Sequence, residues 1–385
     1  MRILHVNKRY PPHVGGIEKH LQDLARAQAC VPGVEVDVVV VAEGPSAHET
    51  DHGVGVHRTR QLGTFASNPV SPDILQMLKE SYHDVWHFHY PFPTGELSLL
   101  LSGRRRAPRP VTVCTYHSDS VPQTPAKRAL AAPYERLTRR FLENLDGVIA
   151  GSPGMAVGSP FLAGLGDTVR VIPYGIDPAP WRSSPAVARA AAALRARYGT
   201  PLTLFVGRLV PYKGADVLLE AFRHSPGSLV LVGGGPLRTF LEDTAVSLGL
   251  AHRVHFAGSI GSSELVEHFH AADVFALPSV TPNEAFGLVQ LEAHACGVPV
   301  VSTDLPTGVP FANKHGVSGI VVRKGDPLEL AAALRLLLGD ETLRRRLGSQ
   351  ARERQRREFS LEVMTRSVLE YYRELLSVRG GEGAH

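Results

Sequence analysis

Two carboxylates eight positions apart bound the segment Glu284-Ala285-Phe286-Gly287-Leu288-Val289-Gln290-Leu291-Glu292. Pro278 and Pro282 precede it and an apolar, helix-forming run follows. The chain should therefore leave a strand at Val274 to Leu277, turn, and open a helix near Gly287. A helix starting there aims unpaired N–H groups and a positive dipole end at whatever lies above the strand. Glu284 falls in the loop beside that end, and Glu292 about a turn and a half into the helix. At 1.5 Å rise per residue the two acids stand about 10 Å apart, so each can grip a different part of one ligand. A sugar nucleotide has that shape, with sugar hydroxyls at one end, ribose hydroxyls at the other and a diphosphate between. Two ordinary glutamates on a surface helix would look the same in isolation, so the rest of the chain must decide.

Fixed cations are the first complement. In Phe205 to Gly214 a buried strand ends at Gly207, Arg208 emerges at its carboxyl end, and Lys213 stands at the next helix start. Two cations at a strand-to-helix turn suit a diphosphate leaving group, on which negative charge builds as its bond to the sugar breaks. Gly233-Gly234-Gly235-Pro236 forms another such turn, and Ile260, after Gly258-Ser259, could meet a base through backbone groups. Near the N-terminus, Gly15 and Gly16 follow the first strand and the Tyr10-Pro11-Pro12 loop and open a helix. Glycine there lets backbone approach an anion, although the pair is not a G-x-G-x-x-G fingerprint.

Histidines are the second complement. Thr115-Tyr116-His117-Ser118-Asp119 ends a strand, which places His117 where it could hydrogen-bond a sugar hydroxyl and a forming oxyanion, or move a proton. His87 and His89 share one face of their strand. They suggest a metal pair, but the sequence shows no third ligand nearby. The stretch His89-Tyr90-Pro91-Phe92-Pro93 is read instead as an acceptor-side loop, with Asp119 beside it. No Asp-x-Asp occurs anywhere, so a site that meets diphosphate charge through Arg208 and Lys213, with no metal and no cofactor, is favoured. Arg104-Arg105-Arg106 and Arg109 form a basic connection, a candidate contact for anionic lipid headgroups. Arg344 to Arg357 is interspersed with Glu353 and lacks stacking aromatics, which excludes a nucleic-acid face.

These residues need a scaffold. The 385-residue chain, 43% hydrophobic and 20% charged, suits two soluble α/β domains. No apolar run approaches the ~18 residues that span a bilayer, and the N-terminus reads as a first strand rather than a signal peptide. Three scattered cysteines suit a reducing cytoplasm. Short β-rich runs alternate with helical patterns, the mark of parallel sheets with crossover helices. Strands are expected at Ile3 to Asn7, Glu35 to Val41, Val54 to Arg58, Val85 to Phe88, Val111 to Thr115, Gly147 to Ala150 and Val169 to Ile172. A second set is expected at Thr203 to Val206, Ser228 to Val232, Val254 to Phe256, Val274 to Leu277 and Val298 to Ser302. Pro173-Tyr174-Gly175-Ile176-Asp177 divides them, giving domains of 1–173 and 174–360. The last helix, about 361–377, should pack back on the first domain, with a frayed tail from Arg379.

Taken together, Gly15-Gly16, Tyr116 to Asp119, Pro173 to Asp177, Gly207 to Gly214, Gly233 to Pro236 and Glu284 to Glu292 resemble the retaining glycosyltransferases of family 4, over essentially the whole chain and in order. The resemblance implies a GT-B fold, α/β with two facing Rossmann-like domains, the first binding an acceptor and the second a nucleotide sugar. It implies that Glu292 holds the ribose, Glu284 the donor-sugar hydroxyls, and Arg208 and Lys213 the diphosphate. Gly207 and Gly234 would line the donor pocket, Gly16 would approach the phosphates, and N–H groups at Phe286, Gly287 and Leu288 would complete the diphosphate site. His117 would contact the sugar, and attack would proceed on the front face without an obligatory enzymic base. Tyr116 to Asp119 with Gln123, His89 to Pro93 and the Thr281 to Gly287 run look most similar to polysaccharide and O-antigen mannosyltransferases, which tilts the donor towards GDP-mannose. His294 departs from the small residue or Met common at that position. A UDP-sugar donor, a nucleotide-sugar epimerase and a non-catalytic sugar-nucleotide binder stay open, as does the acceptor: glycan, lipid-linked or small molecule.

Overall fold

The computed structural model describes residues 1–13, 15–66, 68–103, 109–119 and 131–382. The chain divides into two compact units, Met1–Tyr174 with Leu361–His385, and Gly175–Ser360.

The first unit is built on an eight-stranded sheet. Its strands are β1 (Arg2–Val6), β2 (Glu35–Val41), β3 (Ala47–Asp51), β4 (Val54–Thr59), β7 (Val85–Tyr90), β8 (Val111–Tyr116), β9 (Gly147–Ala150) and β10 (Val169–Val171). Between β4 and β7 the chain makes a small separate hairpin, β5 (Gly63–Phe65) and β6 (Asn68–Val70). The order is β10-β9-β8-β7-β1-β2-β4-β3. All neighbours are parallel except β3, which runs antiparallel on the edge. Strands such as Glu35–Val41 form because runs of β-branched valine suit a surface buried on both faces. The helix Gly16–Ala29 lays His20, Leu21, Leu24, Ala25 and Gln28 inward at helical spacing.

The second unit carries β11 (Leu202–Val206), β12 (Ser228–Val232), β13 (Val254–Gly258), β14 (Val274–Leu277), β15 (Val300–Thr303) and β16 (Gly319–Val322). They form a parallel sheet in the order β13-β12-β11-β14-β15-β16. One core packs Phe205, Leu218, Phe222, Leu231 and Leu334 on one face. Another packs Leu204, Phe269, Phe275 and Val300 on the opposite face. In each sheet the strand order reverses once, between β1 and β7 and between β11 and β14. At such a reversal the outgoing loops diverge and leave a crevice at the strands' carboxyl ends.

Three expectations need correction. The segment from His89 is not a loop at its start: β7 continues through Tyr90, and both residues are only 1% exposed. The edge strand β3 and the four-residue β16 carry too little alternation to be read from sequence. The tail is ordered further than expected, since the last helix runs Leu361–Glu382. Arg379 donates to the Arg109 carbonyl at 3.0 Å and pairs with Asp146. The basic residues Arg104, Arg105 and Arg106, and Gln123, lie outside the described residues. Among the described residues no helix is long and apolar enough to cross a membrane.

The last helix packs against Gly16–Ala29 in the first unit. It buries Met364, Val368, Leu369 and Tyr372, and the Tyr371 hydroxyl donates to the Thr168 carbonyl at 3.1 Å. Tyr372 is fully buried, so Tyr372→Ala should cost about 3–5 kcal/mol in urea unfolding. A loss under 1 kcal/mol would show that this helix does not hold the first unit together.

Candidate active site

In the second unit the predicted residues converge where the strand order reverses. Lys213 follows β11 and Glu284 follows β14, and their side chains meet with Nζ to Oε2 at 2.5 Å. Both side chains are almost buried. Ser279 Oγ donates to the same carboxylate oxygen at 3.0 Å, and Thr307 Oγ1 donates to the Glu284 carbonyl at 2.9 Å. One carboxylate edge is thereby fixed, while Oε1 meets no donor among the described residues. Burial, the largest single effect, pulls the Lys213 ammonium down, but the Glu284 charge, Tyr212 and the hydrogen bond to Glu284 together hold it above its usual range.

Backbone geometry makes that pairing possible. Gly214 has φ +67°, and a Cβ there would stand 2.1 Å from the Pro278 carbonyl oxygen, so only glycine lets the β11 loop close on the β14 loop. The Val280 N–H donates to the Tyr212 carbonyl at 2.9 Å and ties the two loops together. Arg208 is exposed and, among the described residues, forms no ion pair, so its charge stands uncompensated there. Gly207 and Gly234 are laced to their neighbours by Gly207 N–H to Val232 O at 3.0 Å and Leu209 N–H to Gly234 O at 2.9 Å. Ile260 is half-buried against the core of this unit.

The expected helix is Leu288–Cys296, capped by Gly287 in the left-handed region at φ +70°. A Cβ at Gly287 would approach Leu277 Cδ2 to 2.6 Å. Gln290 Nε2 donates to the Phe286 carbonyl at 2.6 Å, stiffening the turn. The N–H groups of Gly287, Leu288 and Val289 donate to no acceptor among the described residues. Open N–H groups at a helix N-terminus are of the kind that suits an anion. Phe286 is buried against Phe311 and Phe359. Glu292 lies in the first turns of the helix, half-buried.

The first unit answers differently at its own reversal. Gly15 is the extended N-cap of the helix Gly16–Ala29, and a Cβ on Gly16 would meet nothing within 4 Å. Behind it lies a cluster the sequence did not reveal. His5, His20, His87, His89 and His117 are all buried, between 0% and 5% exposed. His5 Nε2 lies 2.7 Å from Gln28 Oε1, His5 Nδ1 lies 3.1 Å from His89 Nε2, and His89 Nδ1 lies 3.1 Å from His117 Nε2. His87 bridges Thr115 Oγ1 at 2.7 Å and the Tyr372 hydroxyl. The expectation that His87 and His89 lack a third potential ligand is thus corrected, because His5 on the neighbouring strand completes one triplet of nitrogens and His20, His89 and His117 form another. The signal was present in the alternation of β1, but which strand lies beside β7 is a tertiary fact.

The acceptor assignments change accordingly. Tyr90 stacks on Tyr116 at 4.5 Å inside the unit, and His89 belongs to the imidazole chain, so neither offers a surface. Asp119 accepts from the Tyr116 hydroxyl and from Ser159 Oγ, both at 2.6 Å, which makes it a brace for the loop after His117. Sequence reasoning also missed Ser279, which bonds Glu284 within its own loop, and Thr307, Gln290 and Gln28, polar residues with partners on other elements.

Burial holds these imidazoles neutral. It pushes His5 down to about 4 and, with repulsion from His5, His20 down to about 3. His87, His89 and His117 are likewise lowered well below the usual histidine range by burial. At these imidazoles the native state therefore binds fewer protons than the unfolded chain, and they outnumber the one group that opposes them, the Glu96 carboxyl pushed up to about 7 by burial, so stability rises with pH across this window. Stability should be complete above pH 6.5 and fall as pH drops towards 4, with His5 alone accounting for about 3 kcal/mol. Urea melts at pH 7, 5.5 and 4.5 would show it, and a flat profile would refute neutral burial.

The family model described as "Glycosyl transferases group 1" matches residues 189–354, and that described as "Glycosyltransferase Family 4" matches residues 14–180. O-antigen chain mannosyltransferase C of Escherichia coli is 34% identical over 384 residues, covering 98% of this chain and 99% of its own. D-rhamnosyltransferase WbpZ of Pseudomonas aeruginosa is 33% identical over 364 residues, covering 94% and 92%. Sucrose-phosphate synthase from Thermosynechococcus elongatus superimposes with a TM-score of 0.79 at 25% identity, covering 98% and 99%. The fold is GT-B, and the chain belongs to the family 4 glycosyltransferases.

Proposed function

We propose that this glycosyltransferase is a retaining enzyme that moves mannose from GDP-mannose to a hydroxyl of a glycan, lipid-linked or small-molecule acceptor, forming an α-glycosidic bond. The observation that carries the reading is the meeting of Lys213 and Glu284 at the strand-order reversal, flanked by exposed Arg208 and the open N–H groups of Gly287 and Leu288. A carboxylate with one free oxygen accepts hydrogen bonds from sugar hydroxyls, while the cations and amides take up charge on the leaving diphosphate. Because Lys213 is already neutralised by Glu284, Arg208 and the helix end supply the net positive field. Glu292, a turn further along the same helix, is placed for the ribose.

In the reaction the bond from the anomeric carbon to the diphosphate oxygen breaks, and the acceptor hydroxyl bonds to that carbon on the same face. The hydroxyl proton passes to the departing phosphate oxygen, so no carboxylate has to act as base. Glu284 positions rather than transfers a proton, and the diphosphate charge is met without a divalent metal. The two relatives named for mannose and D-rhamnose support the sugar, because D-rhamnose is 6-deoxymannose and shares its ring configuration.

Arg208→Ala should lower kcat by about 100-fold or more with the fold intact, as loss of a preorganised charge does at a developing anion. Unchanged turnover would remove Arg208 from the diphosphate site. Glu284→Gln should lose transfer while still binding the free nucleotide diphosphate. Calorimetry with GDP and UDP should favour GDP, and tighter UDP binding would overturn the donor. Activity should persist in EDTA; complete loss restored only by Mg²⁺ or Mn²⁺ would show that Arg208 and Lys213 do not suffice.

A further inference from the structure

Ser279 is the second residue after β14, and it is keyed to the strands on both sides of its own, since β14 lies between β11 and β15. On the β11 side, Gly214 lets the chain close on the Pro278 carbonyl, and the Val280 N–H donates to the Tyr212 carbonyl at 2.9 Å. On the β15 side, Thr303, the last residue of that strand, donates its hydroxyl to the Ser279 carbonyl at 2.6 Å. Ser279 is 0% exposed and Thr303 2%. With its neighbours tied to one loop and its carbonyl to another, the Ser279 backbone is fixed, and its Oγ reaches Glu284 Oε2 at 3.0 Å. The direction of that bond is unambiguous. A carboxylate paired with an ammonium is ionised and only accepts, so the proton comes from Ser279.

Glu284 is braced in the same way. Its N–H donates to the Thr281 carbonyl at 3.1 Å and its carbonyl accepts from Thr307 Oγ1 at 2.9 Å, so the freedom left to it lies in the side-chain torsions. An ammonium can meet a carboxylate through one oxygen or straddle both, and between two nearly buried groups straddling is the more attractive arrangement. Lys213 nevertheless bonds Oε2 alone. Ser279 supplies the reason: Lys213 and Ser279 together occupy Oε2 and fix the plane of the carboxylate, which turns Oε1 away from the ammonium. Oε1 meets no donor among the described residues and is not one of the enclosed atoms lacking a partner, so it is the open atom of the pair.

We propose that Ser279 is a positioning residue that keeps the Lys213–Glu284 pair from closing on itself, so that Glu284 presents Oε1 as a fixed acceptor to one hydroxyl of the donor sugar. Fully buried, Ser279 acts on the ligand only through Glu284, and Thr303 acts one step further back, through the Ser279 carbonyl. The assignment rests on the reading that Glu284 holds sugar hydroxyls. It adds how the carboxylate tells them apart: an acceptor fixed in direction reads the configuration of one hydroxyl, whereas a carboxylate free to turn accepts from several. Without the Ser279 hydroxyl, Oε2 loses a donor, the carboxylate turns, and both oxygens meet the ammonium.

A crystal structure of unliganded Ser279→Ala should show both Glu284 oxygens within about 3.2 Å of Lys213 Nζ, where the wild-type protein has one. Kinetics with GDP-mannose and its 2-, 3-, 4- and 6-deoxy analogues read the hydroxyl. The wild-type enzyme should lose about tenfold or more in kcat/KM on one deoxy sugar, the worth of a hydrogen bond to a charged group. Ser279→Ala should lose less than about threefold on that same sugar, while its kcat/KM for GDP-mannose itself falls about tenfold. Its affinity for GDP alone should stay unchanged, which a residue that merely kept the site folded would not allow. Thr303→Val, close in shape and away from both charges, should shift deoxy selectivity in the same sense by a smaller factor. Either an unmoved carboxylate or undiminished deoxy discrimination in Ser279→Ala overturns the proposal. If that happens while Glu284→Gln is inactive, the brace fails and the donor-site reading stands. If Glu284→Gln transfers mannose at the wild-type rate, it is the donor-site reading that fails, and the Ser279→Ala structure alone decides whether Ser279 holds the pair open.

Discussion

A parallel sheet whose strand order reverses must open a crevice at the carboxyl ends, and the second unit depends on how that crevice is closed. Lys213 comes from one side of it and Glu284 from the other, and neither charge could be buried alone. An unpaired buried charge costs several kcal/mol, whereas the pair leaves each ion with a partner and one carboxylate oxygen spare. Around this pair the remaining features make sense. Gly214 permits the loops to touch, Tyr212 and Val280 tie them, and Gly287 starts a helix whose open N–H groups face the same edge.

The first unit obeys the same topological constraint with opposite electrostatics. Its reversal lies between β1 and β7, and the floor there is made of neutral imidazoles rather than an ion pair. Five buried histidines avoid the desolvation cost of charge, but neutrality imposes order, since each ring must know which nitrogen donates. The last helix contributes Tyr372 to this floor and so joins the C-terminal residues to a site assembled from the first 120. In both units, chemistry is positioned by strands that are distant in sequence.

Much of the architecture could be read directly. Glu35–Val41, Gly147–Ala150, Ser228–Val232 and Val274–Leu277 fall where short apolar runs placed them, because such runs on a largely buried strand leave a clear signature. The misses have physical causes. Ala47–Asp51 is an exposed edge strand of polar residues, held by β4 rather than by its own apolar pattern. His89 and Tyr90 looked like loop residues because prolines follow, yet pairing with Thr115 and Tyr116 extends the strand through them.

By itself the sequence determined the two sets of alternating strands and helices, the turns that carry Arg208, Lys213 and Glu284, and the glycines that those turns require. These are local properties, written in periodicity, chain stiffness and the conformations glycine alone adopts. Only the tertiary structure decided which turns meet. It paired Lys213 with Glu284 across 71 residues and Gln28 with His5 across 23. It also turned His89 from a suspected metal ligand or acceptor-loop residue into a link of an imidazole chain reaching from His5 to His117, and set His87 beside it, bonded to Thr115 and Tyr372. Strand adjacency is set by the global winding of the sheet, and no local pattern encodes a neighbour that arrives 80 residues later.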